Sequence, residues 1–147
     1  IPGYSLEEVI FESSRSRIWR GKRQSDGLLV LIKGASSSEQ SAQEQAEIIH
    51  EHEISRNLEI EGVLRPLELV GCESGSALIM ENTEGLPLRK LMDQARLDLL
   101  DSLKVAVSLT STLKEVHQQG IIHKMINPLN IFVDPAFGTV KLTGFGN

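Results

Sequence analysis

The sequence predicts an α+β fold: an N-terminal five-stranded antiparallel sheet with one long helix, followed by a helical part that carries a small hairpin. Three observations predict it. Short apolar runs bounded by turn residues fill the first third, with Asp26-Gly27 as a hairpin signal before Leu28-Leu29-Val30-Leu31-Ile32. A Gln/Glu/Ala-rich stretch from about Glu39 to Leu58 has the composition of a helix. Beyond Gly85 the apolar period becomes helical through Leu99, Leu103, Ala106, Val107, Leu109, Leu113, Val116 and His117, and it stops near Gly120.

The elements follow in order. Tyr4 to Phe11 and Arg17 to Arg23 read as the first two strands, and Leu28 to Ile32 as the third. Ser36-Ser37-Ser38 offers the N-cap of the long helix, whose apolar positions Ala46, Ile49, Ile54 and Leu58 make only one stripe against the sheet. Gly62 and Pro66 punctuate its exit. Leu67 to Val70 and Ser76 to Met80 are two more strands around the turn Glu73-Ser74-Gly75. Leu86 to Met92 reads as a short helix and Asp98 to Gln119 as a long one. Ile121-Ile122, Asn130 to Val133 and Thr139 to Leu142 read as short strands around turns at Asp134-Pro135 and Phe137-Gly138. The expected division is a sheet lobe, residues 1–81, and a second lobe, residues 82–147, joined at about Glu81 to Gly85.

Composition excludes several classes. The chain has 147 residues, 40% hydrophobic but only 4% aromatic, so its core is built from Leu, Ile and Val. No apolar run is long enough to span a bilayer, and the first residues lack a secretory pattern. The single cysteine, Cys72, cannot form an internal disulfide; it fits a reducing, cytoplasmic setting as a small filler. A net charge of -5 without a basic stripe argues against nucleic acid as the main partner. His50, His52 and His117 lack metal-ligand spacing.

Chemistry is suggested by the apolar strand that ends in Lys33. Glu51, eighteen residues on in the helix, could meet it, although Glu47 and Glu53 compete on spacing alone. Such a pair would hold an ammonium toward phosphate oxygens. Val30-Leu31-Ile32-Lys33 with Glu51, then Met80-Glu81-Asn82, then His123-Lys124-Met125-Ile126-Asn127-Pro128-Leu129-Asn130, then Val140 to Gly146, occur in one order along the chain. Together they resemble the eukaryotic-type Ser/Thr protein-kinase fold over essentially the whole chain. The resemblance implies Lys33 and Glu51 as the phosphate pair, Glu81 and Asn82 at the adenine hinge, and Asn130 as a nucleotide-site or metal-loop residue. ATP and magnesium are the ligands it implies. It also makes His123 a structural residue.

The departures from that pattern matter as much. The catalytic aspartate position is Met125, which cannot accept a proton usefully, and the lysine position after it is Asn127. The D-F-G aspartate, the chief magnesium ligand, is Gly144, so no metal ligand set is expected. Met125 is expected as a core filler and Asn130 as a bond to the loop backbone. Phe11-Glu12-Ser13-Ser14-Arg15-Ser16-Arg17-Ile18 replaces the glycine-rich phosphate loop, where Arg15 or Arg17 could compensate electrostatically. The expected function is thus a pseudokinase-like regulatory domain, with no catalytic residue, acting on other domains of its own signalling chain or on a protein partner. The alternatives are an atypical ATP-dependent kinase with residual nucleotide binding, and a spacer. Tyr4-Ser5-Leu6, Glu12 to Arg15, Trp19-Arg20-Gly21 and Ile122-His123-Lys124 are further similar to the N-terminal kinase-like domain of large bacterial signalling histidine kinases. If the chain ends where such a fold would continue, the helix from Asp98 to Gln119 should show apolar surface.

Overall fold

Asp26 starts the sheet's architecture at a tight turn: its carboxylate accepts from the Leu28 N–H at 3.1 Å and from Arg23, with Gly27 at φ +72°. The computed structural model describes all residues except 15, 37–39, 95, 96, 135, 137 and 147. The expectations on Arg15, Ser37, Ser38, Glu39, Pro135, Phe137 and Asn147 therefore lie outside the described residues. The elements are β1 (Tyr4–Glu12), β2 (Ser16–Arg23), β3 (Leu29–Ala35), α1 (Ala42–Ser55), β4 (Pro66–Cys72), β5 (Gly75–Glu81), β6 (Leu86–Pro87), α2 (Leu88–Asp93), α3 (Leu99–Gln118), β7 (Ile131–Val133) and β8 (Val140–Leu142).

Arg23 and the Leu28 N–H hold the Asp26 carboxyl down at about 2, against a smaller opposing effect of burial. A carboxyl depressed on folding adds stability above its unfolded value and loses it as pH falls through the folded one. The Tm advantage of wild type over Asp26→Asn is therefore expected at neutral pH. It should shrink as pH drops from about 4 to about 2, which thermal melts across that window would record.

One unit comprises Ile1–Asn57, Arg65–Thr83 and Gly146. Its five strands run antiparallel in the order β1-β2-β3-β5-β4. Strand alternation sorts the side chains: Val30 and Ile32 of β3 join Ala77 and Ile79 of β5 and Tyr4 in a core, with Trp19 and Leu67 packed on it. Ile32 faces Ile79 across the β3–β5 ladder. The alternate set, Leu31, Lys33, Leu78 and Met80, points to the face where α1 lies, because Lys33 there bonds Glu51 of α1. Val30, Leu31 and Ile32 are buried, on both faces of β3, whereas Leu28 and Leu29 at the start of the apolar run are 43% and 40% exposed.

α1 begins later than its composition implies. Its N-cap is Ser41, in a reciprocal capping box with Glu44, and not a serine of the earlier run. The buried stripe is Ile48, Glu51 and Ser55, at i, i+3 and i+7. The expected stripe is corrected accordingly: Ala46 is exposed and Ile49 and Ile54 are half-buried. A buried carboxylate and a serine that bonds back to the Glu51 carbonyl occupy the inner face, so apolarity alone mispredicts it.

The other unit comprises Leu58–Leu64 and Glu84–Phe145. Leu58–Leu64 falls here, although the expected division assigns it to the first lobe. Its Leu64 N–H donates to Leu142 O, and Gly62 O accepts from the Leu142 N–H. β6, β7 and β8 form a small antiparallel sheet in that order. Leu86 and Pro87 pair with β7 instead of opening a helix, because the residue before a proline favours extended backbone. Ile121-Ile122 is no strand: it has no ladder partner among the described residues, and Ile122 is 70% exposed. On α3, capped by Asp98, the buried residues are Val105, Thr112 and Val116. Leu99, Leu103 and Val107 are 77%, 55% and 71% exposed, so that row presents apolar surface to solvent. No helix among the described residues is long and apolar enough to cross a membrane.

Candidate functional site

Within the sheet unit, Lys33 is set by β3, between Ile18 of β2 and Leu78 of β5. Its Nζ donates to Glu51 Oε2 at 2.6 Å, with side-chain exposures of 15% and 3%. Glu51, not Glu47 or Glu53, is thus the partner, a buried carboxylate that fixes the ammonium two residues before the end of β3. Glu81 and Asn82, expected at the hinge, sit on the same unit. Glu81 ends β5 opposite Val30, with its N–H donating to Arg65 O at 2.9 Å. Asn82 Oδ1 is buried without a hydrogen-bond partner among the described residues.

The β1–β2 connection is closed by serine chemistry instead of glycine freedom. Ser13 Oγ accepts from the Ser16 N–H and donates to Ser16 O, both at 3.0 Å, while Ser36 Oγ donates to Ser13 O at 2.6 Å. No described residue there has a positive φ. Arg17 pairs with Glu12 and stacks its guanidinium over Trp19 at 5.7 Å, so its charge is already engaged.

In the second unit His123 anchors the loop. Its Nδ1 accepts from the Met125 N–H at 3.2 Å, so Nε2 carries the proton and donates to Thr143 O at 2.8 Å. The ring, 2% exposed, lies 4.4 Å from Phe145 at a 59° tilt. A histidine satisfied at both nitrogens is a structural part. Lys124, next in the chain, is the one described non-glycine residue at positive φ, +63°.

Met125 is not a core filler: it is 40% exposed and Ile126 is 44% exposed. The loop is held by its backbone, not by that side chain. The Met125 carbonyl accepts from Asn130 Nδ2 at 2.9 Å and from Asn127 Nδ2 at 3.3 Å. Asn127 Oδ1 accepts from the N–H groups of Leu129 and Asn130 at 2.9 and 3.3 Å. The sequence presents Asn127 chiefly as a missing lysine; Asn-Pro as an Asx-type turn signal could have revealed this staple.

Gly144 stands at φ +86°, and a Cβ added there would overlap Asn130 Cγ, Nδ2 and Oδ1. Magnesium needs several hard oxygens in near-octahedral array. Here the acidic position has no side chain, and the neighbouring amide fills the space a carboxylate would need. Among the described residues no three His, Cys, Asp or Glu side chains converge on a metal site. These residues do not fit a magnesium ion. At Gly146 a Cβ would overlap the Glu47 carbonyl oxygen, which requires glycine there.

Comparison with known proteins agrees with this layout. A family model described as the protein kinase domain matches residues 4–147. Serine/threonine-protein kinase 36 of Pongo abelii is 27% identical over 143 residues, covering 97% of this chain and 11% of that protein. Serine/threonine-protein kinase TIO of Arabidopsis thaliana is 26% identical over 146 residues, covering 99% and 11%. Serine/threonine-protein kinase ppk16 of Schizosaccharomyces pombe is 30% identical over 147 residues, covering 97% and 20%. The chain thus spans only a small part of the curated relatives it matches.

Proposed function

The chain belongs to the protein kinase domain family, and from that premise we propose that it is a kinase-like regulatory domain that does not transfer phosphate. The observation that carries this reading is Gly144 backed by the Asn130 side chain, next to an exposed Met125 in place of the base. Losing a general base costs about 10²–10⁴-fold and losing a preorganised electrostatic group about 10²–10³-fold, and both are missing here. The domain would act within a larger cytoplasmic signalling protein, on other domains of its chain or on a protein partner. Placement ahead of a histidine kinase module, as the short strings from Tyr4 to Gly21 and Ile122-His123-Lys124 suggest, belongs to the same proposal.

A second reading, an atypical ATP-dependent kinase, is favoured by one observation: the buried Lys33–Glu51 pair, which keeps an ammonium where phosphate would be held. In that reading Lys33 binds and orients phosphate oxygens, and ATP supplies the transferable phosphoryl group. Incubating the full chain with γ-labelled ATP and magnesium separates the two. No incorporation above a Lys33→Ala control is expected. Label dependent on Lys33 would establish the second reading and end the first.

A further inference from the structure

α1 is tied to its sheet at a second point, far along the helix from Glu51. The β3–β5 ladder ends at Lys33↔Leu78, while β5 reaches back to Gly75. Beside that part of β5 stands the side chain of Gln40, two residues before α1 begins. Its Nε2 donates to Ser76 O at 2.8 Å, and its Oε1 accepts from the Ser76 N–H at 2.7 Å. A carboxamide carries the same donor and acceptor as a peptide group, so it pairs with Ser76 as an opposing strand residue would. The Gln40 N–H also donates to Ser74 O at 2.9 Å, and Gln45 Nε2 reaches Ser76 Oγ at 3.5 Å. Gly75 makes the room: it stands at φ +130°, and a Cβ there would overlap Gln40 Oε1 and approach its Cδ to 2.9 Å.

We propose that Gln40 is a positioning residue: its carboxamide extends the β3–β5 ladder and anchors the N-terminal end of α1, so that Glu51 meets Lys33 with no ligand needed. Ser41 follows directly and caps the helix, so the anchored backbone passes without a spacer into the first turn. Glu51 lies ten residues beyond that cap, about 15 Å along the axis. Two attachments so far apart stop the helix from pivoting about either one. The Ser76 end is firm, since that residue is 8% exposed and precedes the buried Ala77, Leu78 and Ile79. α1 is then a fixed part of the sheet unit. Both functional readings keep the Lys33–Glu51 pair, so this inference stands apart from whether the chain transfers phosphate.

Thermal melts and amide exchange of the full chain test it. Gln40→Met, which keeps the side chain's length and removes both bonds, should lower Tm by about 3–6 °C and speed exchange of the Ser76 N–H about tenfold. Gln40→Glu keeps an acceptor for that N–H but sets a second oxygen against Ser76 O, so it should lower Tm nearly as much. A purely local bond would do no more than this. The positioning role adds that the Tm loss from Lys33→Ala is smaller in Gln40→Met than in wild type, because a helix freed at its first end can carry Glu51 to water. Sites that far apart otherwise add. Equal Lys33→Ala losses in both backgrounds overturn the proposal. So does unchanged Ser76 exchange in Gln40→Met, or a Gln40→Glu variant as stable as wild type. Where Gln40→Met does not fold, the Lys33→Ala comparison is made in Gln40→Glu, with the same outcomes required. Label transfer from ATP would end the first functional reading and leave each of these outcomes as it stands.

Discussion

Lys33→Ala is expected to destabilise the chain by about 3–5 kcal/mol, measured by urea unfolding, more than a surface lysine could. The reason is where the pair sits. Glu51 is 2% exposed, so removing its ammonium partner at 2.6 Å leaves a carboxylate in a low-dielectric setting with little access to water. Lys33→Met with Glu51→Leu, which removes both charges and keeps apolar volume, should recover much of that loss. Exposed pairs such as Arg89–Asp93 supply the contrast, because solvent screens both partners and their removal should cost under about 1 kcal/mol. If Lys33→Ala costs no more than Arg89→Ala, the pair is not buried in solution as described.

Gly62→Ala is the second large effect expected, about 2–3 kcal/mol by the same measurement. The added methyl would overlap Thr112 Oγ1 of α3 and approach its Cγ2 to 2.7 Å and its Cβ to 2.8 Å. Thr112 cannot swing aside cheaply. It is 4% exposed, β-branched within a helix, and its hydroxyl donates to Ser108 O at 3.2 Å. Thr112→Ala removes two of the three clashing atoms, so it should rescue part of the Gly62→Ala loss and make the pair non-additive. Equal losses in both backgrounds would show that the 58–64 segment does not press on α3.

Much of the fold was legible because its signals are local. Asp26-Gly27 marked a turn through side-chain and backbone chemistry confined to a few residues, and the run Leu28 to Ile32 declared a strand. The order of motifs from Lys33 to Gly146 likewise pointed to the family, with Met125 and Gly144 standing where its pattern has two aspartates. The inner face of α1 was not legible, since a glutamate becomes an interior residue only when a lysine from another element meets it. Nor was the exposure of Met125, an apolar residue whose loop is held by its carbonyl and not by its side chain.

The sequence by itself determined the five strands of the first sheet, the long helices and which residues stand at the positions of the family pattern, because propensity, turn chemistry and residue identity need no partner. Only the tertiary structure decided that Glu51 is the carboxylate chosen for Lys33, that Arg17 is taken up by Glu12 and Trp19, and that Asn130 fills the space beside Gly144. Those outcomes depend on distances that only the folded chain sets, and a packed interior admits one arrangement of them.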